Sequence, residues 1–448
     1  MIAAAHKSSG KTVVSSGIAS ALAARGHSLG LFKKGPDYID PMWLRLAGEA
    51  PAYNLDFNTM TDGEITALFQ ARATGRDVTL IEANKGLYDG VAADGSDSNA
   101  AMAKLLQAPV VLVVDTKGMT RGIAPLLQGY LAFDWDVQIA GVILNKTGGT
   151  RHEGKLRAAV EGYTDLTVLG AIGNSRDLDI SERHLGLTTP ADCAVTKQFL
   201  DGVGEKITDS VDLDRIIEIA RAADPLPSVS ALSKPVQYEG MRIGIAEDAA
   251  CAFYYQDDLE AFRAAGVELV PIDLIHDRAL PKIDGLFIGG GFPETHAAAL
   301  AANVELRRQI REALENGLPA YAECGGLMYL CRSLTWHGET HEMVGFFEAD
   351  TVMHRRPQGR GHVRFTPTGD ALWPQSGGEM RAHEFHYASL ENLSDPVFAR
   401  NVTRGFGIDG KHDALVKKKT QAGFIHLRHT TQTPWVTDFL SFVAAHRA

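Results

Sequence analysis

The sequence contains little cysteine and no long apolar run. Only four of its 448 residues are cysteine, and their spacing is not that of cysteines which bind a metal. So few cysteines fit a reducing compartment, and we expect a cytoplasmic protein. No apolar run approaches the roughly eighteen residues that a membrane helix needs, so we expect no membrane partner. The chain opens on a short apolar strand and a glycine loop, so we also expect no signal peptide. The cysteines are Cys193, Cys251, Cys324 and Cys331.

The chain also lacks an excess of basic residues. Its formal net charge is −11 at pH 7, whereas a protein that binds nucleic acid presents a basic face to phosphate. We therefore expect no nucleic-acid partner, although an anionic small molecule needs only a local basic pocket. There is no internal repeat and no low-complexity segment. The length is too great for one hydrophobic core and favours two domains.

The first half alternates apolar, β-type runs with helical runs. Continuous apolar strands separated by helices are typical of a parallel sheet that is covered on both faces. We predict strands over residues 28–33, 78–82, 110–115, 139–145 and 166–171, and helices over residues 12–25 and 98–106.

A stretch rich in proline and serine, residues 223–235, interrupts this alternation and is typical of a linker. The α/β pattern then restarts, and the C-terminal part carries shorter β-like runs. The restarted pattern predicts strands over residues 242–246, 268–271, 285–288 and 319–322, and helices over residues 256–265 and 303–316. We thus predict an α/β protein with a first domain over residues 1–225, a linker over 226–240 and a second domain over 241–448.

The segment that leads to Cys324 has the pattern of a nucleophile held on a sharp turn. A short apolar run ends in this cysteine, and Gly325 and Gly326 follow it at once, which lets a substrate approach backbone N–H groups closely. Upstream, another predicted strand ends in a glycine triplet that contains Gly290, whose N–H groups can stabilise an oxyanion. Downstream, His426 offers a base. These are the parts of an acyl-transfer site that runs through a thioester; the alternative is a buried structural cysteine.

Residues 2–12 have the pattern of a phosphate-binding loop. A short apolar strand enters a turn of small residues, and Gly10, Lys11 and Thr12 open a predicted helix. The N–H groups at the start of the helix would hold phosphates, Lys11 would reach the β and γ oxygens, and Thr12 would ligate Mg²⁺. One position departs from the pattern, because Ala5 replaces its first glycine. The alternative is that a Gly-Lys-Thr triplet occurs here by chance.

Acidic residues follow two predicted strands of the first domain. Asp37 and Asp40 come after the strand over residues 28–33, and Glu82 and Asp89 come after the strand over residues 78–82. In open α/β sheets the carboxyl ends of the strands line the ligand crevice, where a carboxylate can hold Mg²⁺ beside a triphosphate. Four acids exceed the need of one metal, so we expect some to orient the substrate. The alternative for Asp40 and Asp89 is that they form turns before proline and glycine.

A phosphate loop followed by a glutaminase-like cysteine is the arrangement of a glutamine-dependent amide synthetase. The chain resembles the cobyrinic acid a,c-diamide synthase family, which includes the hydrogenobyrinate and sirohydrochlorin a,c-diamide synthases, and the resemblance runs over nearly the whole chain. The motifs that carry it are the phosphate loop, residues 35–41 (GPDYIDP), 86–90 (GLYDG), 141–145 (GVILN), 182–187 (ERHLGL), 253–255 (FYY), 289–294 (GGGFPE), 322–329 (AECGGLMY) and 383–387 (HEFHY).

The resemblance implies a dethiobiotin-synthetase-like ATP domain with a parallel sheet, followed by a class I glutamine amidotransferase-like domain. It implies that Cys324 is the glutaminase nucleophile, with His426 as its base and N–H groups near Gly290 and Gly325 around the oxyanion. The roles that it implies in the first domain are ATP binding by Ser9, Gly10, Lys11 and Thr12, Mg²⁺ binding by Thr12 and Glu82, synthetase-site acids at Asp37, Asp40 and Asp89, and an adenine contact at Asn145.

Three features depart from the family's usual pattern. Near the base the chain reads His426-Leu427-Arg428-His429, no carboxylate follows at the spacing that usually completes a triad, and His429 is therefore the second candidate base. Residues 361–365 (GHVRF) and 82–86 (EANKG) also differ from cobyrinate-type members. The latter two differences lie where a tetrapyrrole would bind and favour a sirohydrochlorin or siroheme substrate over a corrin, without deciding between them.

The family's reaction amidates the a and c acetates of a tetrapyrrole, with ATP, Mg²⁺ and glutamine. ATP would convert an acetate to an acyl phosphate, and ammonia released from glutamine at Cys324 would displace the phosphate. Two alternatives stay open: a cobyric acid synthase, which amidates other side chains, and an ATPase of the partitioning type without a glutaminase half. The modest length and the segment over residues 35–41 argue against the first. His6 argues against the second, because the partitioning ATPases carry lysine there. The oligomeric state is left open, and a homodimer is compatible with the resemblance.

Replacing Lys11 by Ala should abolish amidation with either glutamine or ammonia as nitrogen source, because the acyl phosphate does not form. We expect a loss of about a thousandfold or more in rate, measured as amide product per unit time at saturating ammonia. Near-parental amidation by this variant would contradict the assignment of the phosphate loop, and the departure at Ala5 would then be its explanation.

Overall fold

Two units make up the chain in the computed structural model. The structure describes residues 1–175, 182–183, 186–187, 189, 196–227, 236–373 and 378–447, and its two units span Met1–Ala231 and Leu232–Ala448. The boundary falls within the stretch predicted as a linker. Residues 228–235 of that stretch, residues 184 and 185 of the 182–187 motif, and Cys193 lie outside the described residues. The domain limits given above therefore stay a prediction.

The first unit alternates strands and helices along the chain. Its strands are β1 (Ile2–Ala4), β2 (Leu29–Lys34), β3 (Ala52–Leu55), β4 (Val78–Glu82), β5 (Val110–Asp115), β6 (Ile139–Thr147), β7 (Val168–Gly173), β8 (Glu182–Arg183) and β9 (Gly186–Leu187). Its helices are α1 (Lys11–Ala24), α2 (Ile39–Ala47), α3 (Asp62–Ala73), α4 (Asn99–Leu105), α5 (Ile123–Phe133), α6 (Thr150–Tyr163), α7 (Thr196–Ser210) and α8 (Leu213–Arg221).

Seven of these strands form one parallel sheet in the order β3-β2-β4-β1-β5-β6-β7. Continuous apolar strands such as β5 are buried on both faces, as predicted, because helices cover the sheet on each side. The register places Ile2 and Lys33 opposite Glu82. The phosphate loop and the acidic segments therefore leave the sheet at the same edge, since all three strands end there.

The second unit contains a longer and mixed set of elements. Its strands are β10 (Arg242–Ala246), β11 (Cys251–Phe253), β12 (Glu268–Ile272), β13 (Gly285–Ile288), β14 (Gly290–Gly291), β15 (Ala320–Glu323), β16 (Ser333–Trp336), β17 (Glu339–Glu342), β18 (Asp350–Met353), β19 (Gly359–Pro367), β20 (Met380–His386), β21 (Ala388–Glu391), β22 (Phe398–Arg404), β23 (His412–Lys417) and β24 (Thr420–Gly423). Its helices are α9 (Gln256–Ala264), α10 (Ala297–Ala302), α11 (Val304–Glu315), α12 (Gly325–Leu330) and α13 (Trp435–His446), with a 3₁₀ turn over Pro293–His296.

The main sheet of this unit has nine strands in the order β12-β10-β13-β15-β24-β23-β22-β19-β20. The first five are parallel, and from β24 onward the neighbours are antiparallel. A cluster of buried aromatic rings under the parallel part includes Phe287 stacked on Tyr321, with ring centroids 5.5 Å apart, and Trp435 packed on both. None of the helices in the described ranges has the length and apolarity that crossing a bilayer requires.

Candidate active sites

Cys324 lies on a strained turn between a buried strand and a short helix. It follows β15 directly, has φ 47° and ψ −101°, and precedes the first residue of α12. The two positions that follow it leave little room for a side chain. A Cβ built on Gly326 would lie 2.3 Å from the Ile288 carbonyl oxygen, and one built on Gly325 would lie 3.0 Å from the Gly291 nitrogen. The turn therefore places the thiol beside the backbone N–H groups of the residues that follow it, as the sequence predicts.

The histidine reaches this cysteine through the pairing of two parallel strands. β15 pairs with β24, so that Glu323 lies opposite Gly423, and the Cys324 nitrogen donates to the Gly423 carbonyl at 2.7 Å. His426 comes three residues further along the chain and is hydrogen-bonded to Cys324. Both side chains are buried. The structure thus brings together the nucleophile and base that the sequence proposes.

Glu323, the residue before Cys324, contacts the imidazole of His426 on its other side. The Nδ1 atom of His426 lies 3.3 Å from Glu323 Oε2. The other carboxylate oxygen accepts hydrogen bonds from the Tyr321 hydroxyl at 2.6 Å and from the Leu427 nitrogen at 2.8 Å, and Arg400 donates to the same hydroxyl at 3.1 Å. A Cys–His–carboxylate arrangement is therefore present, although the carboxylate does not follow the histidine in sequence.

The sequence left open which residue orients His426, and this contact identifies Glu323 as the neighbouring carboxylate. Sequence reasoning sought an acid a short distance after the histidine, as in the family's usual triad, and passed over Glu323. The one feature of the sequence that could have indicated Glu323 is its place at the end of a buried strand, where a charge without a partner is costly. The contact depends on the register of β15 against β24, which spacing along the chain does not reveal.

His426 carries a proton under ordinary conditions. Burial opposes its charge, but the hydrogen bond to Cys324 and the contact with Glu323 outweigh burial and raise its pKa to about 10. Because the folded-state pKa lies above the ordinary value of 6.5, this charge contributes stability that is fully present below that value and is lost as pH rises through about 10. A cationic imidazole beside a thiol favours the thiolate, which is the reactive nucleophile.

The structure also places the predicted oxyanion glycines, Gly290 and Gly325, and the second candidate base, His429. A Cβ on Gly290 would lie 2.7 Å from His426 Cε1, so this glycine lies directly against the base. Gly325 opens α12, and first-turn N–H groups have no partner within their helix. The Gly291 nitrogen, not named from the sequence, faces Gly325 and is a further candidate donor. His429 Nδ1 accepts from the Val436 nitrogen at 3.3 Å, at the start of α13, which favours His426 as the base.

The predicted phosphate loop ends in a left-handed glycine at the start of α1. Gly10 has φ 86°, and a Cβ there would lie 2.3 Å from Asn145 Nδ2. That amide donates to the Ser9 carbonyl oxygen at 2.8 Å. Asn145 therefore holds the phosphate loop through Ser9, whereas the resemblance implies that this residue contacts adenine. Lys11 opens α1, and burial, with the nearby Lys33, lowers its pKa to about 8.

A buried lysine binds two of the predicted acids. The Lys33 ammonium contacts Asp40 and lies 3.0 Å from Glu82 Oε1, and the lysine side chain is 3% exposed. Burial disfavours its charge, but Asp40 and Glu82 outweigh burial and raise its pKa. Burial raises the pKa of Glu82 to about 7, although Lys33 opposes that rise. Asp40 is therefore held in an ion pair and does not serve only to form a turn.

Thr12 and Glu82 fit Mg²⁺ as a pair of oxygen ligands. The Thr12 hydroxyl donates to Glu82 Oε1 at 2.8 Å, and Glu82 Oε2 is buried with no hydrogen-bond partner among the residues that the structure describes. Within those same residues no group of three or more histidine, cysteine or acidic side chains is arranged to hold a metal. Mg²⁺ usually takes one or two protein oxygens and completes its shell with water and phosphate, so this pair fits the ion.

The other two predicted acids, Asp37 and Asp89, accept hydrogen bonds from backbone N–H groups of their own segments. Asp37 Oδ1 accepts from the Ile39 and Asp40 nitrogens at 2.9 and 3.0 Å at the start of α2, and burial together with Asp40 raises its pKa to about 6. Asp89 Oδ2 accepts from the Gly86 nitrogen at 3.0 Å. Since Asp89 is exposed and also acts on Lys11 electrostatically, it lies near the phosphate loop as well as closing a turn.

Comparison with protein families covers both units. The family model described as "CobQ/CobB/MinD/ParA nucleotide binding domain" matches residues 1–187, and that described as "CobB/CobQ-like glutamine amidotransferase domain" matches residues 242–433. These matches confirm the predicted fold class, a nucleotide-binding α/β domain followed by a glutamine amidotransferase domain.

Full-length relatives are similar over almost the whole chain. A protein of Magnetococcus marinus named cobyrinate a,c-diamide synthase is 42% identical over 447 residues, which cover 98% of this chain and 96% of the relative. Proteins of the same name are 37% identical in Dehalococcoides mccartyi, covering 98% of this chain and 97% of the relative, and 38% identical in Archaeoglobus fulgidus, covering 95% and 93%.

Replacing Glu323 by Gln removes a charge beside His426 and keeps an oxygen that can accept from Tyr321 and Leu427. We expect the pKa of His426 to fall, because Glu323 helps to raise it. Glutamine hydrolysis needs the imidazolium to protonate the leaving ammonia, so the alkaline limb of the kcat profile should move to lower pH, with roughly tenfold loss for each pH unit above the new pKa.

The measurement is kcat for glutamine hydrolysis across roughly pH 6–10, a range that spans the ordinary and raised values. Amidation from added ammonia serves as the control and should be unchanged. An alkaline limb that stays at the parental pH would contradict the role given to Glu323.

Proposed function

The chain belongs to the cobyrinate a,c-diamide synthase family, and from that premise we propose which residues and which substrate take part in its reaction. The protein is an amide-forming ligase that depends on glutamine and ATP and acts in cobalamin biosynthesis. The observation on which the residue assignments rest is the Cys324–His426–Glu323 cluster in one unit and the Lys11, Thr12 and Glu82 cluster in the other.

The proposed substrate is cobyrinate, amidated on its a and c acetates. Relatives that are 36–42% identical over nearly the full chain carry the name cobyrinate a,c-diamide synthase. This outweighs the differences at residues 82–86 and 361–365, which favoured sirohydrochlorin. Cobyric acid synthase-type amidation of other side chains is the second candidate, and the names of the relatives give it no support. A partitioning-type ATPase is contradicted by the amidotransferase match over residues 242–433.

Glutamine hydrolysis would begin at Cys324. Its thiolate attacks the side-chain amide carbon of glutamine, and the N–H groups of Gly325 and its neighbours near Gly290 stabilise the oxyanion. His426 donates its proton to the leaving nitrogen, which departs as ammonia and leaves a thioester. Water then attacks the thioester and gives a proton to His426, so that glutamate leaves and the thiolate is restored. Glu323 keeps the imidazole in one orientation through these steps.

Carboxylate activation would take place at the phosphate loop. An acetate oxygen of the substrate attacks the γ-phosphorus of ATP, ADP leaves, and an acyl phosphate forms. The N–H groups from Ser9 to Thr12 bind phosphate oxygens, and Lys11 neutralises charge on the transferred group. Ammonia then attacks the acyl carbon, phosphate leaves, and the loss of a proton gives the amide.

The other charged residues of this edge would position the reactants. Lys33 holds Asp40 and Glu82 together, and Asp37 fixes the start of α2. Thr12 and Glu82 would hold Mg²⁺, which when bound neutralises charge on the phosphates. Asp40, in the first turn of α2, and Asp89, in the loop after β4, would orient the substrate. Asn145 would hold the phosphate loop through its hydrogen bond to Ser9.

We also propose a cytoplasmic enzyme. The described cysteines Cys251, Cys324 and Cys331 are buried and unpaired, as is usual in a reducing compartment. Glutamine and the tetrapyrrole are the expected small-molecule partners, the net charge of −11 argues against nucleic acid, and a homodimer stays an expectation that sedimentation can test.

The function is tested with a panel of cobyrinic acid, hydrogenobyrinic acid and sirohydrochlorin, each supplied with ATP and glutamine. Mass spectrometry should show a diamide from cobyrinic acid. Product from sirohydrochlorin alone would overturn the proposed substrate, and amides on side chains other than a and c would favour the cobyric acid synthase alternative.

Replacing Cys324 by Ser should abolish synthesis from glutamine and leave synthesis from high ammonia at the parental rate. A serine hydroxyl is hardly ionised at neutral pH and is a poor nucleophile beside a protonated histidine. Cys331→Ala is the matched control, because this cysteine is also buried in the same unit, and it should retain both activities. Failure of ammonia to rescue a folded Cys324→Ser protein would show that the two half-reactions are not divided as proposed.

A further inference from the structure

Lys85 has a backbone conformation that is unfavourable for lysine. Its φ is 41°, in the left-handed region, which is strained for a residue with a Cβ and where glycine or asparagine is usual. The residue is exposed, so no packing of its side chain explains the choice. A strained residue that persists at a surface is a reason to look for function.

A buried asparagine imposes this conformation. Asn99 is fully buried at the start of α4. Its Nδ2 donates to the carbonyl oxygens of Asn84 and Gly86, and its Oδ1 accepts from the Asn84 nitrogen at 3.1 Å. Three hydrogen bonds to the residues on either side of Lys85 hold the backbone of this exposed residue in one place.

That place is beside the phosphate loop. A Cβ built on Gly86 would lie 2.8 Å from the Ala5 carbonyl oxygen, and 2.6 Å from the Asp89 carboxylate. Lys85 therefore belongs to the segment that runs from Glu82, which contacts Thr12 and Lys33, to Asp89, which acts on Lys11. The acetate that is phosphorylated must come to this edge of the sheet.

The two lysines at the end of β2 are already committed. Lys33 is bound to Asp40 and Glu82, and Lys34 donates to the Asp97 carbonyl oxygen at 2.5 Å. Lys11 is required by the nucleotide. The Lys85 ammonium makes no hydrogen bond or ion pair with any residue that the structure describes. It adds to the positive charge near Lys34, with which it interacts electrostatically.

We propose that Lys85 binds a carboxylate of the tetrapyrrole that neighbours the acetate being activated. This inference rests on the proposed function, since it requires a polycarboxylic substrate at the phosphate loop. A carboxylate and an ammonium form a charge-assisted contact, and the fixed loop means that little ordering is needed when the substrate arrives. Lys85 is thus a binding residue that selects an acid with several carboxylates.

The test is Lys85→Gly, which removes the ammonium and relieves the strained φ. We expect KM for cobyrinic acid to rise about tenfold, the loss of one charge-assisted contact, with kcat near the parental value. KM for ATP and for glutamine should not change, and Tm should be equal to the parent's or higher. Lys85→Arg should keep KM close to the parental value, because it keeps the charge.

Lys418→Gly is the matched control. Lys418 is also exposed, has φ 55° and lies in the turn between β23 and β24 of the other unit. It should leave every KM at the parental value. A Lys85→Gly enzyme with parental KM for cobyrinic acid would overturn this inference but leave the proposed function standing. A parental enzyme that amidates no member of the acid panel would refute the proposed function and the inference with it.

Discussion

Both candidate sites depend on the register between neighbouring parallel strands. In a parallel sheet all strands end at one edge, so residues far apart in sequence meet there without a long loop to hold them. Glu323 opposite Gly423 brings Cys324 within reach of His426, and Glu82 opposite Ile2 and Lys33 brings the acids to the phosphate loop. A slip of one residue in either pairing would turn these side chains to the other face of the sheet.

Buried charge keeps each site in one arrangement. Glu323 and His426 are both nearly inaccessible, as are Lys33 and Glu82. Such pairs add little net stability because both charges are desolvated, but a partner left alone is strongly destabilising. Each pair therefore fixes the position of both side chains, because moving either one away would leave the other as a buried charge without a partner. This preorganisation is what hydrolysis and phosphoryl transfer require.

The strands with continuous apolar runs could be predicted well from the sequence. β4, β5, β10 and β13 begin and end where their runs of valine, leucine and isoleucine meet turn residues. The four-residue β3 has no such run and was missed. The nucleophile, the phosphate-loop lysine and the glycines around them could be named because their residue types fit one chemistry each. Glu323, the Lys33 ion pairs and the support that Asn145 gives to Ser9 could not, because each depends on which strands become neighbours.

The hydroxyl of Tyr321 joins the glutaminase site to the aromatic core of its unit. It donates to Glu323, while its ring packs against Trp373 and Trp435 with centroids 4.7 and 5.3 Å away. Two of the five tryptophans of the chain therefore pack against the tyrosine that donates to Glu323, the carboxylate that contacts His426. Because indole emission is sensitive to nearby charge, we expect a change in the charge of this carboxylate or of the imidazole beside it to alter the intrinsic fluorescence of the folded protein.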